Sequence, residues 1–130
     1  MPSPTVWTNT AGVFGLVPLA FGLRSLSMPA SVLTSTGLAS GANASKPDHA
    51  LPRGLLRMVG MRNIVVSLTL SLCWYRGQRE IQGAIVLLMG LMPLVDGFAF
   101  KEAVGDREWE HWGFVPVLIG LGAGVLGWLG

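Results

Sequence analysis

Apolar runs close to the length of a bilayer crossing recur along this 130-residue chain, and its few charges gather in short clusters between them. A helix needs about 20 such residues to cross the hydrocarbon, where every backbone N–H and C=O must find a partner inside the protein. Runs of this length satisfy that demand as helices. Composition agrees, because 51% of the residues are apolar and 12% charged, about half the ~25% charge of an ordinary soluble domain. The expected fold is all-α: an integral membrane, up-and-down four-helix bundle forming a single transmembrane domain over residues 1–130.

Four spans are expected, at about 7–23, 55–75, 81–100 and 112–129, with a long loop at about 25–52. Pro18 interrupts the first span, which a membrane helix tolerates where neighbours satisfy the freed carbonyl, and Arg24 closes it. Residues Met28 to Leu38 read as a continuation of helix, and the Ser/Ala/Gly/Pro-rich stretch from Ala39 to Ala50 as a loop. The turn Arg76-Gly77-Gln78-Arg79 reverses the chain between the second and third spans. In the fourth, Gly120-x-x-x-Gly124 would let another helix, or a second copy in a homo-oligomer, approach closely. All five tryptophans (Trp7, Trp74, Trp109, Trp112, Trp128) fall near span ends, where indole rings favour the headgroup region. The first ten residues lack the basic start of a secretory signal, so the first apolar segment reads as a retained helix.

Charge bias sets an expected orientation. Arg24, Lys46, Arg53, Arg57, Lys101 and Arg107 fall on one side and only Arg76 and Arg79 on the other. Positive-inside reasoning puts both termini away from the cytoplasm. The sequon Asn43-Ala44-Ser45 would then be cytoplasmic and unused. Arg53 and Arg57, four apart on one helical face, snorkel toward headgroups in this reading. A net charge of +2 without a basic stripe of interleaved aromatics excludes nucleic acid as a partner. The lone Cys73 permits no internal disulfide and fits apolar packing, and no metal spacing, nucleotide loop or haem motif occurs. His49 and Asp48 read as solvated loop residues, and Met58, Met61, Met89 and Met92 as packing filler.

Threading the chain up and down gathers the end of span one, the start of span two, the end of span three and the start of span four at one membrane face. Asp96 lies five residues, or about 7.5 Å, before Lys101. At that depth a carboxylate requires a partner, and Arg62, similarly placed in span two, is the expected one. This pair is either an interhelical clasp or the heart of a site. In the second case Asp96, His111, Glu108 and Glu102 are the candidate catalytic residues, with Arg62, Arg24, Asn63 and Trp109 as candidate substrate-binding residues. General acid–base work needs groups titrating near neutrality, and Arg62 beside Asp96 makes that aspartate a poor base at rest. Glu102, Glu108 or His111 is then the titrating partner, with Glu110 beside them.

The elements Gly60-Met61-Arg62-Asn63, Arg76-Gly77-Gln78-Arg79, Val95-Asp96-Gly97 and Trp109-x-His111 together resemble the small four-helix, DoxX-like membrane proteins of bacteria and fungi catalogued as domain of unknown function 4267. The resemblance covers most of the chain from Gly12 onward. It implies, from fungal proteins of this kind that lie beside secondary-metabolite genes, a role in isomerising or cyclising an apolar biosynthetic intermediate. The expected function is therefore a membrane-embedded, cofactor-independent acid–base cyclase or isomerase of a terpenoid or polyketide-like molecule. It would be a multi-pass protein among membrane lipids, in the endoplasmic reticulum if eukaryotic. The alternative is a non-catalytic membrane scaffold or subunit in which Arg62 and Asp96 only staple helices.

Overall fold

The structure, a computed structural model, describes residues 3–39, 50–105 and 107–129. Lys46, Asp48, His49 and the Asn43 sequon lie outside the described residues. Among the described residues eight helical segments follow one another: α1 (Pro4–Phe14), α2 (Leu16–Ser27), α3 (Pro29–Ser35), α4 (Ala50–Tyr75), α5 (Arg79–Met89), α6 (Leu91–Val104), α7 (Trp109–Trp112) and α8 (Phe114–Leu126). No strand occurs among the described residues.

Three of the breaks between these segments have one cause. The sequence carries Gly15-x-x-Pro18, Gly90-x-x-Pro93 and Gly113-x-x-Pro116, and a helix is interrupted at each of those glycines. Proline has no N–H, so the carbonyl four residues earlier loses its bond, and the ring crowds it. Those carbonyls belong to Phe14, Met89 and Trp112, the last residues of α1, α5 and α7. The glycines themselves stay near helical geometry, with φ between −61° and −59°. The chain therefore bends and resumes. α4 carries Pro52 only in its first turn, where no earlier helical carbonyl is lost, and runs unbroken for 26 residues.

Other ends follow from turn chemistry. Met28 leaves helical geometry (φ −131°, ψ 55°) before Pro29, as the residue preceding proline must. At Gly77 and Gly127 the backbone turns left-handed, φ 66° and 82°. In both places two N–H groups fold back: Gln78 and Gly77 donate to Cys73 and Trp74, and Trp128 and Gly127 to Ala123 and Gly124. These Schellman closures satisfy carbonyls that a helix end leaves open.

Three helices are long and apolar enough to cross a membrane, Pro4–Ser27, Ala50–Tyr75 and Arg79–Val104, two of them continuing through a proline bend. They begin before the expected starts at 7, 55 and 81, and the first and third end beyond the expected 23 and 100, while the second ends at the expected 75. Hydropathy marks the edge of the hydrocarbon, whereas backbone hydrogen bonding carries a helix on into the interface. The expected span at 112–129 differs most: α8 has 13 residues, about 20 Å at helical rise against a hydrocarbon core of about 30 Å. Within the expected loop at 25–52, α2 runs on to Ser27, α3 occupies Pro29–Ser35, and α4 begins at Ala50.

The chain divides into two compact units. The first holds α1, the end of α4 from Thr69, and α5 to α8. Here α5 lies along α8, with Gly83 against Leu126 and Val125, and Gly122 against Leu87. Tryptophans fill the remaining close approaches. The indole of Trp7 covers Gly124, that of Trp74 covers Gly12, and that of Trp112 covers Gly97. Two of the three also donate their N–H, Trp74 to Asn9 Oδ1 at 3.0 Å and Trp112 to the Leu94 carbonyl at 3.1 Å. Trp109 and Trp128 alone among the five stay mostly exposed, at 73% and 69%. The other three clamp helices onto glycine faces. Gln82 is fully buried on the α5 face formed with Val86 and Met89, and its amide N–H donates to the Thr8 carbonyl at 3.0 Å.

The second unit, residues 16–68, holds α2, α3 and most of α4. Its backbones meet at two glycines. A methyl group on Gly22 would lie 2.6 Å from the Gly60 carbonyl oxygen, and one on Gly60 2.8 Å from the Gly22 oxygen. Gly22 also faces Ile64 while Gly60 faces Ser25, so α2 and α4 cross in opposite directions. Small residues serve this purpose in lipid, where apolar side chains gain nothing by leaving the solvent and close packing supplies the attraction. Leu33 and Ala39 form a small core with Ala30, Leu38 and Leu56.

Arg79 at the start of α5 donates its Nε–H to the Val125 carbonyl at the end of α8, and its guanidinium stands beside Gly127. A cation there meets both an open carbonyl and the negative end of the helix. Arg79→Met is expected to cost about 1.5–3 kcal/mol, the worth of a hydrogen bond to a charged group. Thermal unfolding in detergent measures it. Equal stability of Arg79→Met and wild type would remove the bond from the explanation.

Candidate functional site

The charged end of the first unit is built by the last turns of α6, the connection after it, and α7. Gly105 turns left-handed (φ 89°) to end α6, and Arg107 follows with φ 69°, a conformation uncommon for a residue with a side chain. That reversal lays α7 back against α6. Trp112 reaches over Gly97 and Phe98, its ring 5.0 Å from that of Phe98, with Lys101 Nζ 5.8 Å from its centroid. Trp109 stands edge-on to Trp112 at 5.3 Å.

Two ion pairs tie the connection. Lys101 Nζ lies 3.1 Å from Glu108 Oε1, with the Glu108 side chain only 13% exposed. Arg107 forks onto Glu110, Nε to Oε1 at 2.6 Å and Nη2 to Oε2 at 2.9 Å. Both carboxyls are thereby held below the ordinary carboxylate range, Glu108 first by a backbone N–H and then by Lys101, Glu110 by Arg107. They are fixed anions at neutral pH. Glu102 is exposed on α6.

His111 is the group suited to proton exchange. Its ring packs on Phe100 with centroids 4.4 Å apart. Burial pushes its pKa below the ordinary 6.5, opposed by the charges of Asp96 and Glu110 and assisted by Arg107. The imidazole is therefore neutral at physiological pH, with a carboxylate near enough to steady the cation it would become. Asp96 is half-buried on α6, one residue before the glycine that Trp112 covers.

The candidates of the second unit form a separate group. Arg62 is half-buried on α4 and its Nε is shielded from solvent. Asn63 is half-buried next to it, its carbonyl accepting from Ser67 Oγ at 2.8 Å. Arg24 is exposed and donates to Ser31 Oγ at 3.2 Å. Arg62 and Asp96 belong to different units, so their pairing stays an expectation of the threading. At the other end of the first unit a cavity of about 470 Å³ is lined by Gly77, Gln78, Arg79, Glu80, Val125 and Leu126. No cluster of three or more His, Cys, Asp and Glu side chains suited to a metal occurs among the described residues.

A family model described as "Domain of unknown function (DUF4267)" matches residues 15–125. The chain belongs to the DUF4267 family. No curated protein and no solved structure matches it. Within the DUF4267 match lie Arg24, Arg62, Asn63, Asp96, Glu102, Glu108, Trp109 and His111, together with all three Gly-x-x-Pro bends.

Sequence reasoning missed Arg79, Gln82, Phe100 and the glycine seats of the tryptophans. For Gln82 a signal existed: Gln82, Val86 and Met89 recur at helical spacing on one face. For the tryptophan seats none did, because Gly12 and Trp74 are far apart in sequence and become neighbours only through packing.

Proposed function

We propose that this DUF4267 chain is a small multi-pass membrane enzyme that isomerises or cyclises a lipophilic biosynthetic intermediate by acid–base chemistry, without a cofactor. His111 accepts and returns the proton, and Asp96 stabilises the imidazolium between the two steps. The observation that carries this reading is His111 itself, a partly buried imidazole kept neutral by burial, stacked on Phe100 and within the field of Asp96. Glu108 and Glu110, already in ion pairs, hold α7 in place rather than exchange protons. Glu102, Trp109, Arg62, Arg24 and Asn63 enter this reading from the sequence, as groups that polarise or border the substrate's polar end. In the full arrangement the segment at about 112–129 makes a fourth, short crossing of an up-and-down bundle. Both termini face away from the cytoplasm, in the endoplasmic reticulum of a eukaryote.

Isomerisation conserves mass, which makes the test direct. Lipid extracts of cells with the chain, without it, and with Asp96→Asn are compared by chromatography and mass spectrometry. The expected result is a pair of isobaric lipophilic compounds whose ratio inverts on deletion and stays inverted in Asp96→Asn, at unchanged protein level. An unchanged ratio on deletion would sink the enzyme reading. It would favour the second one, a non-catalytic membrane scaffold, which the ion pairs and the tryptophan-on-glycine clamps of the first unit also suit.

A further inference from the structure

The cavity at the turn between α4 and α5 lies within the first unit and takes no part in the chemistry proposed above. Its volume of about 470 Å³ falls in the range of small-molecule sites, roughly 300–1,000 Å³. Two opposite charges border it, Arg79 and Glu80, the first two residues of α5. Consecutive positions of a helix do not face each other, and among the described residues no ion pair joins these two. Arg79 gives only its Nε–H to the protein, to the Val125 carbonyl, which leaves the donors on both Nη atoms. Glu80 is exposed and has no hydrogen bond or ion pair among the described residues.

Each of these groups calls for the opposite of the other. A phosphate satisfies a guanidinium through charge-assisted N–H donors, and an ammonium satisfies a carboxylate in the same way. Adjacent Cα atoms are about 3.8 Å apart, so the ligand carries both charges within a short span. Ile81 and Leu126 border the same cavity with apolar surface, so part of the ligand is apolar too. The turn joins two helices long and apolar enough to cross a membrane, and it carries Arg76, Arg79 and Glu80. Given the membrane placement proposed above, such charges stand at the edge of the hydrocarbon, the depth of lipid headgroups. We infer that the cavity binds the phosphoethanolamine headgroup of a membrane phospholipid, its phosphate on the Arg79 guanidinium, its ammonium on the Glu80 carboxylate and its glycerol end against Ile81 and Leu126. A choline head has no N–H to give Glu80, and a glycerol head has no cation.

The test uses the whole chain in nanodiscs of phosphatidylethanolamine, phosphatidylcholine and phosphatidylglycerol in equal amounts, with native mass spectrometry reading the lipids that stay bound. Wild type is expected to retain phosphatidylethanolamine over phosphatidylcholine about tenfold, the low end of what a hydrogen bond to a charged group contributes. Glu80→Gln should abolish that preference. Glu80→Lys, which sets two cations at the cavity, should turn it toward phosphatidylglycerol. Glu80 has no partner to lose among the described residues, so both variants should keep the helicity of wild type. Should they not fold, the wild type alone decides: its unfolding midpoint must rise when phosphatidylethanolamine is added to phosphatidylcholine vesicles. Equal retention of these two lipids by wild type, or an undiminished preference in folded Glu80→Gln, overturns the inference and leaves the membrane placement standing. Equal stabilisation by millimolar phosphoethanolamine in phosphatidylcholine alone also overturns it, by assigning the cavity to a soluble zwitterion. A chain that does not enter the nanodiscs overturns the membrane placement itself.

Discussion

His111→Gln is expected to lower formation of the isomerised product by 100-fold or more, the usual contribution of a positioned general base, while leaving the protein folded. Glutamine keeps the size and hydrogen-bonding character of the ring but cannot take up a proton at physiological pH. The pH dependence provides the stricter check. Only neutral imidazole can act as the base, and burial has moved its pKa below 6.5, so the acidic limb of the rate profile should have its midpoint below that value. Asp96 and Glu110 favour the imidazolium. Removing the Asp96 charge in Asp96→Asn should therefore carry the His111 titration to still lower pH, a shift visible by NMR of the imidazole even where turnover is lost. The same sign governs stability. A histidine whose folded pKa is depressed contributes stability above its unfolded value near 6.5, and that contribution is lost as pH falls through the folded value. A midpoint above 6.5, or an upward movement in Asp96→Asn, would place His111 in a different environment and end the case for it as the base.

Gly124→Ala is expected to destabilise the protein by about 1–3 kcal/mol, the usual cost of overpacking a well-filled site. The added methyl would lie 2.6 Å from Cε3 and 2.7 Å from Cε2 of Trp7. A rigid indole cannot fold its end away, so α1 must shift against α8 or the ring must leave. Gly120→Ala is the control on the same helix. A Cβ there meets nothing within 4 Å, and alanine's helix propensity should make the change neutral or favourable by up to about 1 kcal/mol. Combining Gly124→Ala with Trp7→Leu should cost less than the sum of the two single changes, because the smaller side chain makes room for the methyl. Thermal unfolding of the four proteins in one detergent reads all of this. Equal tolerance of alanine at 120 and 124 would show that Trp7 does not clamp α8.

How far the fold could be read in advance depended on the range of the interaction that fixes each feature. Apolar run length is a property of neighbouring residues, so the helices long and apolar enough to cross a membrane, at 4–27, 50–75 and 79–104, were legible to within about five residues. Proline bends are equally local. Only Pro18 drew notice as an interruption, although Pro93 and Pro116 stand in the same Gly-x-x-Pro frame and act on the same carbonyl four residues back. The fourth span was overestimated because hydropathy counts residues without asking where a hydrogen bond is missing, and Pro116 with Gly113 cuts α8 to 13 residues.

The candidate site divides along the same line. That Asp96, Glu108 and His111 would lie near one another followed from threading, since α6 and α7 adjoin through a short connection. Their division of labour did not. Glu108 and Glu110 are held below the ordinary carboxylate range because a backbone N–H and Lys101 reach the first and Arg107 the second, and burial pushes the His111 pKa below its ordinary value.

By itself, then, the sequence determined that this chain is all-helical and roughly where its three long apolar helices run, because each of these is decided within a few turns of one helix. Only the tertiary structure decided that Trp7, Trp74 and Trp112 would sit on Gly124, Gly12 and Gly97, that Arg79 would close the end of α8, and that Gly22 and Gly60 would meet. Those outcomes rest on contacts between residues far apart in the chain, whose energies depend on shape and distance and leave no periodic mark on the order of the amino acids.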